Sequence, residues 1–562
     1  MPKGDKNIEA KYEKILKWML DKYFLSSDGS NSESLIWMID FALNWILSKH
    51  WDWPMFNNWS LRQDKTQIAS YSKIPDSLEL EPNKILSTIP DHMWWSVKAF
   101  HPYMVKNVIP LPNFIYLATN LAVSLYMPNA VTWEDSGDIL NSELFCANFL
   151  SDISWYDKNK SAWVFTFWWT GTNLYAIKIG LSKAFPNHHL TWVREDWVVI
   201  GSRPSHYCHR TSVDWLGLWQ NNYVQVESNI NQTTNLEELK LKCREVLESW
   251  KKIICIELAG WTTSNMWIDD IESIYHFRNK LVDEFRLDYS PHIHVDAVLG
   301  WVYLFFLEYD FDLNNLGFSV NVMDKLKKIC DKLRMIKYAD SYWVDFHKTW
   351  YIPYVSSMIM VKDGHDFKRL RRDWDLMTPL FHDDLAYNPW TFTLETSRSA
   401  SNILATWLTL KTFWFEWFQA LIWHTLEISE EIRDEIWLNS SNWICVVNKD
   451  SFWCDVFVRC YNAWTDTDNV FDAELIDSSL LVTNNEYLNK FAKYLIENKS
   501  YISDGIAISK SSAAIYTETW HPMPAIRIYP LNPNITKKSA RDIIKKLITF
   551  KKEFDLVYSW NK

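Results

Sequence analysis

Thr166-Phe167-Trp168-Trp169-Thr170-Gly171-Thr172-Asn173 is the stretch on which the reading of this chain turns. It follows the apolar, strand-like run Val164–Phe167 and opens the helical pattern Leu174–Ala184. A small-residue turn between a strand and a helix binds phosphate, because its backbone N–H groups and the helix dipole point at one spot. The threonine hydroxyls add donors. Two indoles in the turn contradict that use, since they would fill the cup. With glycine at 168 and 169 the same run reads T-F-G-G-T-G-T-N, an open cradle.

The composition carries the same contradiction. The chain has 35 Trp and 12 Gly in 562 residues, where ordinary usage of roughly 7% Gly would give about 39 glycines. Other tryptophans also stand where a small, φ-permissive residue makes physical sense: Trp261 before Thr-Thr, and Trp350 after His-Lys-Thr. Much of this Trp is therefore read as glycine encoded by UGA in a lineage that recodes that codon.

Working outward, short apolar runs alternate with helical patterns across residues 106–395. The expected strands are Val164–Phe167, Trp197–Ile200, Tyr223–Val226, Ile253–Leu258, His292–Val295, Ser341–Asp345 and Ser356–Val361. Helices are expected at Leu236–Trp250 and Ile268–Phe285, among others. Such alternation implies an α/β domain with a mostly parallel sheet covered by helices. Residues 1–105 read as a separate, mainly helical segment. Residues 396–562 read as a smaller C-terminal α+β domain, with a strand at Ile526–Tyr529 and a basic-faced helix at Lys537–Phe554. The Lys-Lys pairs of that helix read as a solvated face.

The formal charge of −11 has no dense basic block, which argues against a nucleic-acid partner. The eight cysteines form no C-x-x-C pair, so neither a metal site nor a disulfide framework is expected, and a cytoplasmic setting suits them. Met1–Phe24 reads as an amphipathic helix and not a signal peptide. No run reaches the ~18 apolar residues of a membrane span; Phe114–Met127 comes nearest but contains Thr119 and Asn120.

Three motifs point to chemistry. Lys348, in Asp345-Phe346-His347-Lys348-Thr349-Trp350, follows a strand and is a candidate amine nucleophile toward an aldehyde. Asp296 ends the apolar run in His294-Val295-Asp296-Ala297, where a carboxylate needs a partner; the ring nitrogen of pyridoxal phosphate is a suitable one. His206, in Ser205-His206-Tyr207-Cys208, is placed to lie flat on such a ring. Taken singly, these residues also fit a solvated lysine, a helix cap or salt bridge, and a surface histidine. Ala259-Gly260-Trp261-Thr262-Thr263 could line the other side of a cofactor, and Arg398 reads as structural.

Together and in this order the motifs resemble the group II pyridoxal-phosphate-dependent decarboxylases, over roughly residues 92–420. The resemblance implies fold type I, the aspartate-aminotransferase-like architecture. It also implies a homodimer, with residues 1–105 in its dimerisation region and the active site at the subunit interface. The implied activity is decarboxylation of an L-amino acid to the amine and CO2. An aromatic substrate such as tyrosine ranks ahead of an acidic one, because Thr391–Trp407 is most similar to the tyrosine branch. The cofactor, pyridoxal 5'-phosphate, would be held by Lys348, Asp296 and His206. Thr166, Trp168, Trp169, Thr170, Thr263, Ala297 and His347 would complete its site. Tyr387 is the implied proton donor. A carbon–carbon lyase on the same motifs, and a catalytically silent homologue with a binding role, remain alternatives.

Overall fold

A computed structural model describes residues 30–560, apart from 31, 50–81, 94–95, 100, 107, 109, 191–195, 230–232, 262–266, 373–386, 414, 450–453, 464–469, 503, 518 and 520. The N-terminal helix expected at Met1–Phe24 lies outside these residues. The chain divides into two compact units, Met1–Lys98 with Tyr494–Ala507, and Ala99–Lys493 with Ile508–Lys562. Described helices of the first unit include Ser32–Lys49.

The second unit holds a seven-stranded sheet. Its strands are β1 (Ala162–Thr166), β2 (Trp197–Ser202), β3 (Tyr223–Val226), β4 (Lys252–Ala259), β5 (His292–Asp296), β6 (Ser341–Asp345) and β7 (Ser357–Val361), in the order β1-β7-β6-β5-β4-β2-β3. Strands β3, β2, β4, β5 and β6 run parallel, and β7 is antiparallel to both β6 and β1. Parallel strands are covered on both faces, so they read as continuous apolar runs. The buried run Ile253–Leu258 in β4 is an example. All seven expected strands form, within a residue or two of their expected ends.

The covering helices include α1 (Phe114–Ser124), α2 (Asn141–Ser154), α3 (Trp169–Ala184), α4 (Cys208–Trp215), α5 (Leu236–Glu248), α6 (Ile271–Glu284) and α7 (Val320–Leu333). Helix α3 packs directly on β4 at Gly180, where a Cβ would run into the Ile254 carbonyl. Beyond the sheet come α8 (Ser401–Thr412) and α9 (Phe415–Leu438). A second, four-stranded antiparallel sheet follows, in the order β10-β11-β9-β8, from β8 (Ile444–Val446), β9 (Val456–Cys460), β10 (Ser509–Tyr516) and β11 (Pro522–Ile528). Helix α10 (Lys537–Trp560) packs on α9. Its lysines are not all solvated: Lys551 is buried and paired with Asp555 at 2.7 Å, one turn on. Among the described residues, no helix is long and apolar enough to cross a membrane.

Tryptophan occupies backbone positions that suit glycine. Among the described residues, eight non-glycine residues have positive φ, and four of them are Trp155, Trp219, Trp250 and Trp443. Trp makes up 35 of 562 residues, so an even spread would place about one such residue in sixteen on Trp. Helix α5 ends in a Schellman motif, with Lys251 N–H donating to Val246 O and Trp250 N–H to Leu247 O. Helix α2 ends in the same motif around Trp155. Helix α4 does so around Gly217, the residue usual at this position. Packing gives a second sign: the rings of Trp350 and Phe418 stack with centroids 3.2 Å apart, inside the ~3.5 Å contact distance of carbon atoms.

Candidate active site

The parallel strands end together along one edge, the usual place for sites on α/β sheets. Strand β5 ends at Asp296 and the neighbouring β6 ends at Asp345, followed by a single helical turn, Phe346–Thr349, that carries Lys348. The loop from β2 to α4 brings in His206. These three side chains line one cavity of about 350 Å³, with Cys208, Trp261 and Tyr354. Lys510 of β10 and Arg527 of β11 also line it from the small sheet, the Lys510 ammonium donating to Asn489 Oδ1 at 2.7 Å.

Lys348 Nζ lies 2.9 Å from Asp345 Oδ2. Asp345 is fully buried, and its other oxygen accepts the Ser357 hydroxyl at 2.6 Å. Asp296 Oδ1 accepts the Val298 N–H at 3.2 Å and the Trp343 indole N–H. Burial alone would raise the Asp296 pKa; His209, Trp343 and Lys348 outweigh it and hold the carboxyl below its ordinary value. Burial, with the charge of Lys348, lowers His206 to about 4. The cavity thus joins a lysine amine, an ionised carboxylate and a neutral imidazole.

Thr166 does not line this cavity but a neighbouring one; it closes β1, and its hydroxyl donates to Trp168 O at 3.1 Å. Trp168 is the N-cap of α3 and supplies no side-chain acceptor to the first turn. Thr170 lies in that turn. The Trp168 indole stacks on Tyr354, with centroids 5.6 Å apart and planes at 3°. Tyr354 lines both the Lys348 cavity and a second cavity that holds Thr166. The indole therefore stands against the residue the two cavities share.

The remaining expected residues divide. Ala297 is buried beside Gly260. His347 turns its Nδ1 to the Ser356 carbonyl, 2.8 Å away, and does not line the cavity. Tyr387 is not brought to the cavity either; it packs between Trp163 and Phe392. Arg398 is structural, as expected: buried, it donates to Glu143 at 2.6 Å and to the Ala130 carbonyl at 2.8 Å. Thr263 lies outside the described residues, as does most of the loop before Tyr387. Sequence reasoning missed His209 and Glu257 beneath Asp296, although a lone glutamate inside the apolar run Ile253–Leu258 was a usable signal. Lys510 and Arg527 gave none, because they come from a distant part of the chain.

Pyridoxal phosphate can be tested against this donor set. The ring end fits, since an ionised carboxylate and an amine share the cavity with a flat imidazole. The phosphate end fits in its backbone, a helix N-terminus without a side-chain cap. It fits in its side chains only if position 168 carries no indole.

No protein-family model matches the chain. Over 228 residues it is 23% identical to the L-tyrosine decarboxylase of Enterococcus faecium, covering 38% of this chain and 35% of that protein. Over 239 residues it is 20% identical to the L-2,4-diaminobutyrate decarboxylase of Acinetobacter baumannii, covering 42% of this chain and 41% of that one. The chain thus matches between about a third and two-fifths of the length of these relatives. Among solved structures it is similar to the glutamate decarboxylase domain of a Vibrio parahaemolyticus diaminobutyrate enzyme, with TM-score 0.69, 15% identity, and coverage of 96% of this chain and 99% of that one. It is also similar to Catharanthus roseus tryptophan decarboxylase, with TM-score 0.70, 14% identity, and coverage of 94% and 99%. The fold is therefore fold type I, the aspartate-aminotransferase-like architecture.

Proposed function

We propose that this chain is a pyridoxal-phosphate-dependent decarboxylase that converts an L-amino acid to its amine and CO2. The observation that carries the reading is the convergence of Lys348, Asp296 and His206 on one cavity. The named relatives, decarboxylases of tyrosine and diaminobutyrate, support it. Lys348 would hold the cofactor's aldehyde carbon, Asp296 its ring nitrogen, His206 one ring face, and the α3 N-terminus with Thr166 and Thr170 its phosphate. When bound, the cofactor supplies a cationic ring that takes up the electron pair left as CO2 departs. The chain's own part is to keep Asp296 ionised, to present an amine, and to shield the substrate carboxylate from water. Of the two expected substrate classes, aromatic and acidic, the cations Lys510 and Arg527 favour an acidic side chain. The proposal includes a homodimer in the cytoplasm, and gives Tyr387 no role within the protomer's own cavity.

The same reading takes positions 168, 169, 261 and 350 as glycine in the native protein. Its direct support is the Trp350–Phe418 overlap and the Trp168 indole against Tyr354; the left-handed tryptophans at 155, 219, 250 and 443 support the same replacement elsewhere in the chain. Peptide masses from native protein decide it: glycine residue masses are expected, and an indole at 168 would end it. An authentic Trp168 would favour the silent homologue, because the cradle is then filled.

For the activity, native protein supplied with pyridoxal phosphate should absorb in the visible, and Lys348→Ala should not. A panel of amino acids scored for amine and CO2 then tests the reaction. Product from acidic but not aromatic members supports the cation argument; no product from any member refutes decarboxylation.

A further inference from the structure

Beneath Asp296 lies a buried ion cluster that the proposed reaction does not by itself require. His209, the second residue of α4, has its Nδ1 2.7 Å from Glu257 Oε2 and its Nε2 3.6 Å from Asp296 Oδ2. His209 and Glu257 are both all but inaccessible to solvent. Glu257 and Asp296 stand on the neighbouring strands β4 and β5, where Ala259 pairs with Asp296 and Glu257 with His294. The imidazole thus bridges two carboxylates held by one sheet.

The protonation states follow from the surroundings. Burial opposes a charge on His209, but Glu257 and then Asp296 outweigh it and raise its pKa to about 10. His294, the next imidazole, is driven the other way to about 3 by burial and by the His209 charge, and its Nδ1 meets Ser341 Oγ at 2.7 Å. One imidazolium therefore lies between two carboxylates, beside a neutral histidine. A buried carboxylate without a compensating group takes up a proton. Glu257 and His209 neutralise each other, which leaves one negative charge, on Asp296, facing the cavity. That surplus matches one cationic ring nitrogen.

We propose that His209, held by Glu257, is a positioning residue that fixes the Asp296 carboxylate and keeps it ionised toward the cofactor ring. The inference rests on the cofactor reading above. It extends that reading to a relay, Glu257–His209–Asp296, in which neither Glu257 nor His209 touches the cofactor. A buried partner behind a functional carboxylate orients it and tunes its charge, as the hydrogen-bond partners behind metal ligands do.

The test uses full-length His209→Asn, Glu257→Gln and the double variant, each checked for native fold by circular dichroism. Two readouts do not depend on turnover: the dissociation constant of added pyridoxal phosphate, and the ring-nitrogen resonance of 15N-labelled cofactor. The expected result for His209→Asn is binding weakened at least tenfold, with the resonance moved toward the unprotonated position. Glu257→Gln should act in the same direction but less. The double variant should be no worse than His209→Asn, because both act through one path. If His209→Asn does not fold, Glu257→Gln, which changes one atom, carries the test. Wild-type protein that binds the cofactor beside folded variants with unchanged affinity and resonance would overturn the relay alone. Wild-type protein that binds no cofactor would overturn the reading beneath it, and the relay with it.

Discussion

Replacing Trp250 by glycine isolates the backbone argument from all others. Trp250 is 92% exposed, so its indole contributes almost no packing. Its φ is 61°, in the left-handed region. Holding an L-residue there costs roughly 1–2 kcal/mol, because its Cβ crowds the following carbonyl oxygen; glycine escapes this. Glycine's greater freedom in the unfolded chain gives back roughly 0.5–1 kcal/mol. The net expectation is a gain of about 1 kcal/mol for Trp250→Gly. Trp250→Ala retains the Cβ and should gain close to nothing.

In so long a chain a local readout resolves such a change better than a melting temperature. The Lys251 and Trp250 amides close the end of α5, at 3.1 and 3.0 Å from their acceptors. Their hydrogen exchange, where it proceeds by local opening, should slow by about fivefold in the glycine variant and stay near wild type in the alanine variant. The starting material is recombinant protein that carries Trp at 250. Equal exchange in the glycine and alanine variants would refute the claim that this position is built for glycine.

Other perturbations bear on the site and its supports. Arg398→Met should destabilise by about 3–5 kcal/mol, because it strands the buried Glu143 carboxylate; adding Glu143→Gln should recover much of that loss in denaturant unfolding. Asp296→Asn should weaken cofactor binding more than His209→Asn does, read by titration of the apo-protein. The pH dependence of apo-protein stability should have two arms. His206 and His294, lowered to about 4 and about 3, are kept neutral by the fold, so their contribution is present above pH ~6.5 and is lost as pH falls through their folded values. His209, raised to about 10, acts oppositely: its contribution is present below pH ~6.5 and is lost as pH rises to about 10. Glu257→Gln should flatten the alkaline arm and shrink the acid arm less, because burial, the first cause of the lowered His206 and His294, is unchanged while only the His209 charge is lost; both arms are measured as melting temperature against pH.

The large sheet was legible because its strands are buried on both faces. Runs such as Ile253–Leu258 and Ser356–Val361 stand out without any alternating pattern. Lys348 and Asp296 were legible because charged residues at the ends of such runs need a reason. The antiparallel turn of β7 beside β6 was not, because a short apolar run carries no direction. The place of Tyr387, between Trp163 and Phe392 and outside the protomer's own cavity, was not legible, because sequence order does not say which rings a tyrosine packs against. The cations from β10 and β11 were invisible because the strands that carry them follow β6 by more than 160 residues. Tryptophans in left-handed turns could be suspected from composition, but only backbone angles identify which ones.

The most direct measurement is borohydride reduction of native protein loaded with pyridoxal phosphate, followed by peptide mapping. Modification blocks trypsin at Lys348, so the peptide that bears the label also contains position 350. A phosphopyridoxyl group on Lys348 and a glycine mass two residues later are expected. A label on another lysine, or none, would contradict this expectation.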